Sequence, residues 1–185
     1  MMRLGHGGNT VNIETTTVQK LIISGVKNLD PVAVYLEDQG PACGKVTITC
    51  FNDCWSYFWG SMGKNNTIRS FLLQCDAHYL AGKFAPLLDS EVDVLGDIVS
   101  HCRKEICKER RQGNWPKKEA REMWEQAEEL DGVEDSRELF DNHGMFMHDL
   151  FGDEWWYCLP KEPNHKYEYL CRIINTVKEA LRQAS

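Results

Sequence analysis

Cys50, Cys54, Cys75 and His78 spell C-x3-C-x20-C-x2-H, three thiols and an imidazole of the kind a tetrahedral zinc ion takes. The spacing argues against such a site. On one continuous strand Cys50 and Cys54 would share a face but stand about 13 Å apart, at ~3.3 Å per residue. With Asn52-Asp53 as a two-residue turn, Phe51 opposes Cys54, Cys50 opposes Trp55, and the two thiols point to opposite faces. Cys75 falls on the apolar stripe of a helix, where a thiol behaves as a small hydrophobe. Cys102 and Cys107 lie off the i,i+4 register and lack a second compact pair. The sequence therefore assigns no metal and no cofactor.

Nucleophilic catalysis by Cys75 would need a base within hydrogen-bond reach and a group to orient it. His78 is one helical turn away and Asp76 is adjacent, yet a core cysteine beside a surface histidine accounts for the same residues. His143 and His148, with Asp141 and Asp149, suggest an acid–base or metal cluster. His143 sits on an apolar stripe, however, and five-residue spacing leaves one helical face. Gly5-His6-Gly7-Gly8 lacks both the GK[ST] ending and the preceding strand of a phosphate loop. No catalytic residue is assigned.

Charge patterning carries more information. Between Arg103 and Arg121 stand eight basic residues and three acidic ones, a local balance of +5. From Glu122 to Glu154 there are twelve acidic residues and one basic residue, Arg137, a balance of −11. The basic run (Arg103, Lys104, Lys108, Arg110, Arg111, Lys117, Lys118 and Arg121) surrounds Trp115. Cations around an aromatic can neutralise phosphates while the ring stacks on a base. The acidic run (Glu122, Glu125, Glu128, Glu129, Asp131, Glu134, Asp135 and Glu138) suits a basic cleft of another protein, including one that normally holds nucleic acid. A salt-bridged helix surface is the plain alternative for the basic run, and a solvated helix face for the acidic one.

Strands and helices must position these groups. Residues 18–26, 32–37, 45–51 and 54–59 read as short strands with tight connections, an antiparallel meander. Asn66 or Thr67 opens a helix with the stripe Ile68, Phe71, Leu72, Cys75 and Tyr79, ending near Gly82. Ser90 and Asp93 open another, carrying Val92, Leu95, Val99, Cys102 and Ile106, which Gly113 to Pro116 interrupt. A third presents Ala120, Met123, Trp124, Ala127 and Leu130 inward. A fourth, from Asp135 or Ser136, carries Leu139, Phe140, His143, Met147, Leu150 and Phe151. Trp155–Leu159 reads as a last strand, and a final helix buries Tyr167, Leu170, Ile174, Val177 and Leu181. Strands first and about five helices after them give an α+β fold.

The 185 residues fit one domain over 17–185, with a loose arm over 1–16 and a charge-polarised helical region over 90–151 as a candidate sub-domain. At 42% apolar and 26% charged, the composition is that of a globular protein that buries its own core. No window approaches the ~18 apolar residues of a membrane span, and no apolar leader begins the sequence. The eight cysteines then read as reduced thiols in a cytoplasmic protein.

The run DPVAVYLEDQGPACGKVTITCFNDCWSYFWGSMG, followed by TIRSFLLQCDAHYLAG, resembles small uncharacterised proteins of bacteriophages and enterobacterial prophages over residues 30–83. The resemblance implies a phage accessory protein in the bacterial host cytoplasm, and no activity for any residue. Proteins of this kind act by binding host or phage machinery, including defence systems and nucleic-acid enzymes. The expectation is a protein partner bound through the acidic helices, with direct nucleic-acid binding by the basic segment as the alternative. A zinc- or thiol-dependent enzyme stands third.

Overall fold

A computed structural model describes residues 12–184. The Gly5-His6-Gly7-Gly8 run and most of the expected arm lie outside the described residues, and residues 12–17 are exposed and in no regular element. The strands are β1 (Gln19–Ile23), β2 (Val32–Gly40), β3 (Cys43–Cys50), β4 (Asp53–Trp59), β5 (Glu91–Asp93) and β6 (Lys161–Pro163). The helices are α1 (Ile68–Gln74), α2 (Ala77–Phe84), α3 (Ile98–Gln112), α4 (Lys117–Gln126), α5 (Ser136–Phe151) and α6 (His165–Gln183). The fold is α+β. It divides into two compact units, residues 12–86 with 170–184 and residues 87–169.

In the first unit β1 to β4 form an antiparallel meander in sequence order. Alternation sets the faces: Val32, Val34 and Leu36 lie opposite Cys50, Ile48 and Val46, and all six are buried. Trp59 closes this face with its ring against Phe71 and Phe84, at centroid distances of 5.4 and 6.3 Å. The helix α1 is capped twice over. Thr67 and Ser70 form a capping box, and Asp38 of β2 accepts from the Ile68 amide at 2.7 Å. The opposite sheet face stays polar, with Tyr35, Thr47 and Ser56 in one cross-strand row.

Several expectations shift. The first strand is shorter than residues 18–26, and the expected helix from 66 to 82 is two helices. Cys75 is extended, and Asp76 accepts from the Tyr79 amide at 2.8 Å, capping α2 afresh. The β3–β4 turn falls at Phe51-Asn52, so Cys50 opposes Asp53 and Thr49 opposes Cys54. That register still separates the thiols: Cys50 is buried and Cys54 exposed.

In the second unit β5 and β6 pair as a two-stranded ribbon. Val92, expected on a helix, is in β5, and α3 begins only after Asp97. Gly113, at φ 83°, ends α3 in the left-handed conformation that glycine adopts without a Cβ penalty. The core gathers Ile98, Cys102 and Ile106 from α3, Ala120 from α4, and Leu139, Met147 and Leu150 from α5. Leu95, Trp155 and Leu159 complete it from the connecting segments. Trp155–Cys158 is a 3-10 helix and not a strand; it buries Trp155 while turning Trp156 and Tyr157 outward.

Candidate functional site

The two charged segments are adjacent in the fold as well as in sequence. One edge of α3 carries the basic residues, since Ile98, Cys102 and Ile106 turn its other edge to the core. The helix α4, with the 3-10 helix Ala127–Leu130 that continues it, carries the first half of the acidic run. Arg103 pairs with Glu128, Lys108 with Glu105 at 2.6 Å, Lys118 with Glu122 at 3.7 Å, and Arg121 with Glu125 at 3.0 Å. Exposed pairs of this kind contribute little to stability, so their main effect is local neutralisation.

That pairing divides each candidate set. Lys104, Arg110, Arg111 and Lys117 have no carboxylate partner among the described residues, and neither do Glu129, Asp131, Glu134, Asp135 and Glu138 have a cation. Asp135 is occupied otherwise, as the N-cap of α5, accepting from the Arg137 amide at 2.9 Å. Glu138 lies in the first turn of α5, where the helix dipole favours a negative charge.

Beside the acidic residues of α5 lies a feature that strand-like reading of the sequence misses. Phe140, expected to face inward, is 60% exposed, Trp156 is 43% exposed and Tyr157 is 69% exposed. All three connect through rings: Phe140 to the buried Trp155 at 5.9 Å, Trp155 to Trp156 at 6.0 Å, and Trp156 to Tyr157 at 6.0 Å. Carboxylates flank them, Asp141 next to Phe140 and Asp153-Glu154 before Trp155. Arg137, the one cation in the acidic stretch, is paired with Asp141 at 3.7 Å. The signal in the sequence was the spacing, since only one ring of a Trp-Trp-Tyr run in a tight helix can turn inward.

The tryptophans of the two charged segments also exchange places. Trp115, expected to stack beside the cations, is half-buried and packs on the core of the second unit. Trp124, expected inward, is 39% exposed, and the Arg103 guanidinium lies 4.8 Å over its ring.

The thiols and imidazoles do not converge. Among the described residues no group of three or more His, Cys, Asp and Glu side chains is placed to hold a metal ion. Burial pushes the Cys75 thiol up, the Lys178 charge opposing this only in part. Asp76 is engaged as a cap, and its hydrogen bond from the Tyr79 amide holds its carboxyl below the usual range. His143 is half-buried, while His148 bonds to Asp153 at 2.7 Å on the surface.

A family model described as a phage family matches residues 11–183. The chain belongs to this phage family. No curated protein and no solved structure matches it. The match takes in both charged segments of the phage protein, extending well past the residues 30–83 that carry the resemblance in sequence. Among its described residues no helix is long and apolar enough to cross a membrane.

Proposed function

We propose that this phage protein acts by binding a host or phage protein through the acidic and aromatic surface of its second unit. Its effect there would be to inhibit a bacterial defence or nucleic-acid-processing complex in the host cytoplasm. The observation that carries the reading is the exposed trio Phe140, Trp156 and Tyr157 joined through the buried Trp155 and set among carboxylates. Trp and Tyr side chains fixed by a packed neighbour are effective interface anchors, because little rotamer freedom remains to be lost. Glu134, Glu138 and Glu154, near the trio in sequence and without a cation partner among the described residues, select a basic partner and speed encounter with it. A cleft that ordinarily holds nucleic acid has that character.

The test is affinity capture from infected or lysogenic bacteria, repeated after nuclease treatment and with two variants. Phe140→Ser/Trp156→Ser removes the anchors, and Glu134→Lys/Glu138→Lys reverses the charge. Support would be one basic protein recovered stoichiometrically despite nuclease, lost with the first variant and weakened by the second. Equal recovery with all three proteins would refute the surface assignment.

A second reading, direct nucleic-acid binding, draws on Lys104, Arg110, Arg111 and Lys117, which have no carboxylate partner among the described residues. It requires retention on bare DNA or RNA that falls steeply as salt rises.

A further inference from the structure

Between α3 and α4 lies a cavity of about 330 Å³, whose lining includes Arg110, Lys117, Arg121 and Trp124 over a floor of Ile106 and Ala120. Pockets that take small molecules begin at roughly 300 Å³, so this one suits a compact ligand. We infer that the cavity is a binding site for a nucleoside phosphate, with Arg110 and Lys117 on the phosphate and the base against Trp124.

The charges select the anion. Arg121 and Glu125 both line the cavity and pair with each other at 3.0 Å, which leaves Arg110 and Lys117 uncompensated. Lys117 is the first residue of α4, and its N-cap, Pro116, supplies no side-chain acceptor to the first-turn amides. Positive side chains beside the start of a helix whose N-cap makes no side-chain hydrogen bond favour a phosphate. The wall selects the rest of the ligand. A phosphate alone needs no indole, whereas a base gains from stacking on one. The ring is also held in advance, since Arg103, anchored by Glu128, lies over it. The same chemistry is offered by a free nucleotide or by one residue of a single strand. The site shares no residue with the acidic and aromatic surface, so either assignment can fail alone.

Calorimetric titration of the full chain at low salt tests it, using adenosine mono- and triphosphate, a short single-stranded oligonucleotide, and inorganic pyrophosphate. Nucleotide or oligonucleotide should bind more tightly than pyrophosphate. Arg110→Gln/Lys117→Gln should weaken binding about tenfold or more, as loss of charge-assisted hydrogen bonds does. Trp124→Leu should remove the preference over pyrophosphate while leaving pyrophosphate affinity unchanged. All three residues are exposed, and unaltered thermal unfolding of the variants verifies that they fold. Binding of the free nucleotide identifies the ligand as a mononucleotide, and binding of the oligonucleotide alone identifies it as a strand. Absence of binding by both at about 1 mM, indifference to Arg110→Gln/Lys117→Gln, or pyrophosphate binding as tight as nucleotide binding would overturn the inference. Phe140→Ser/Trp156→Ser should leave the titration unchanged.

Discussion

The ammonium group of Lys178, on α6, donates to the backbone carbonyl oxygen of Cys75, the residue that ends α1. Lys178 is 9% exposed, the one charged side chain among the buried described residues. Its position has a physical cause. The last carbonyls of a helix lack internal donors and carry partial negative charge, so a cation placed there satisfies both.

Removal of that ammonium should therefore cost stability. Lys178→Met keeps the aliphatic stem and loses the charge-assisted bond, at about 1.5–3 kcal/mol. Lys178→Ala adds a cavity and should cost more. Chemical denaturation checks the order, and a Lys178→Met protein as stable as the parent would contradict the role assigned to this contact.

Two glycines should respond oppositely to the same methyl group. At Gly44, in β3, a Cβ would stand 2.8 Å from the Glu37 carbonyl oxygen and 3.1 Å from Ile68 Cβ. Gly44→Ala should destabilise by about 1–3 kcal/mol, because backbone and helix must part. At Gly82, inside α2, a Cβ meets nothing within 4 Å. Gly82→Ala should stabilise by about 0.5–1 kcal/mol through helix propensity. Denaturant midpoints of the two variants give the comparison.

Acid should weaken the α2 cap. The Tyr79 amide holds the Asp76 carboxyl below its ordinary 3.8. A carboxyl depressed in the folded state adds stability above its unfolded value and loses it as pH falls through the folded value. Glu179, lowered by hydrogen bonds from Gln183 and Arg182, acts with the same sign. Asp76→Asn keeps an acceptor for the cap and cannot titrate, so its unfolding midpoint should fall less steeply below pH about 4. Parallel curves for the two proteins would dismiss Asp76 as a contributor.

Thiol labelling should separate the cysteines by burial. Burial pushes Cys102 up to about 12, and its side chain is wholly enclosed. Cys54 and Cys158 are exposed. At about pH 8 an alkylating reagent should modify Cys54 and Cys158 in the native protein and reach Cys102 only on unfolding. Peptide mass mapping reads the sites, and early labelling of Cys102 would contradict its place in the core.

The meander was legible because a half-buried sheet imposes a period of two, and Val32-Val34-Leu36 and Val46-Ile48-Cys50 keep it without interruption. Helix ends were less so. The break at Cys75-Asp76 depends on a single carboxylate taking the Tyr79 amide, a choice that periodicity does not register. Trp155-Trp156-Tyr157 misled because aromatic residues favour strands, whereas here one ring anchors the core and two are left on the surface. The two charged segments were visible as such. Which of their members cancel was not, because Arg103 finds Glu128 across 25 residues of sequence. What survives that cancellation is what shapes the two proposed sites.

The first unit is assembled from two stretches of sequence, with the whole of residues 87–169 between them. Arg172 reaches the Lys27 carbonyl oxygen at 2.9 Å, and Arg69 the carbonyl oxygen of Leu181. At roughly 5–20 residues per second on the ribosome, several seconds separate the emergence of the meander from that of its closing helix. The contiguous unit, translated in between, can finish first. The unit that begins first is thus the one that can be completed last, and the nascent chain carries an unfinished apolar sheet face until α6 emerges.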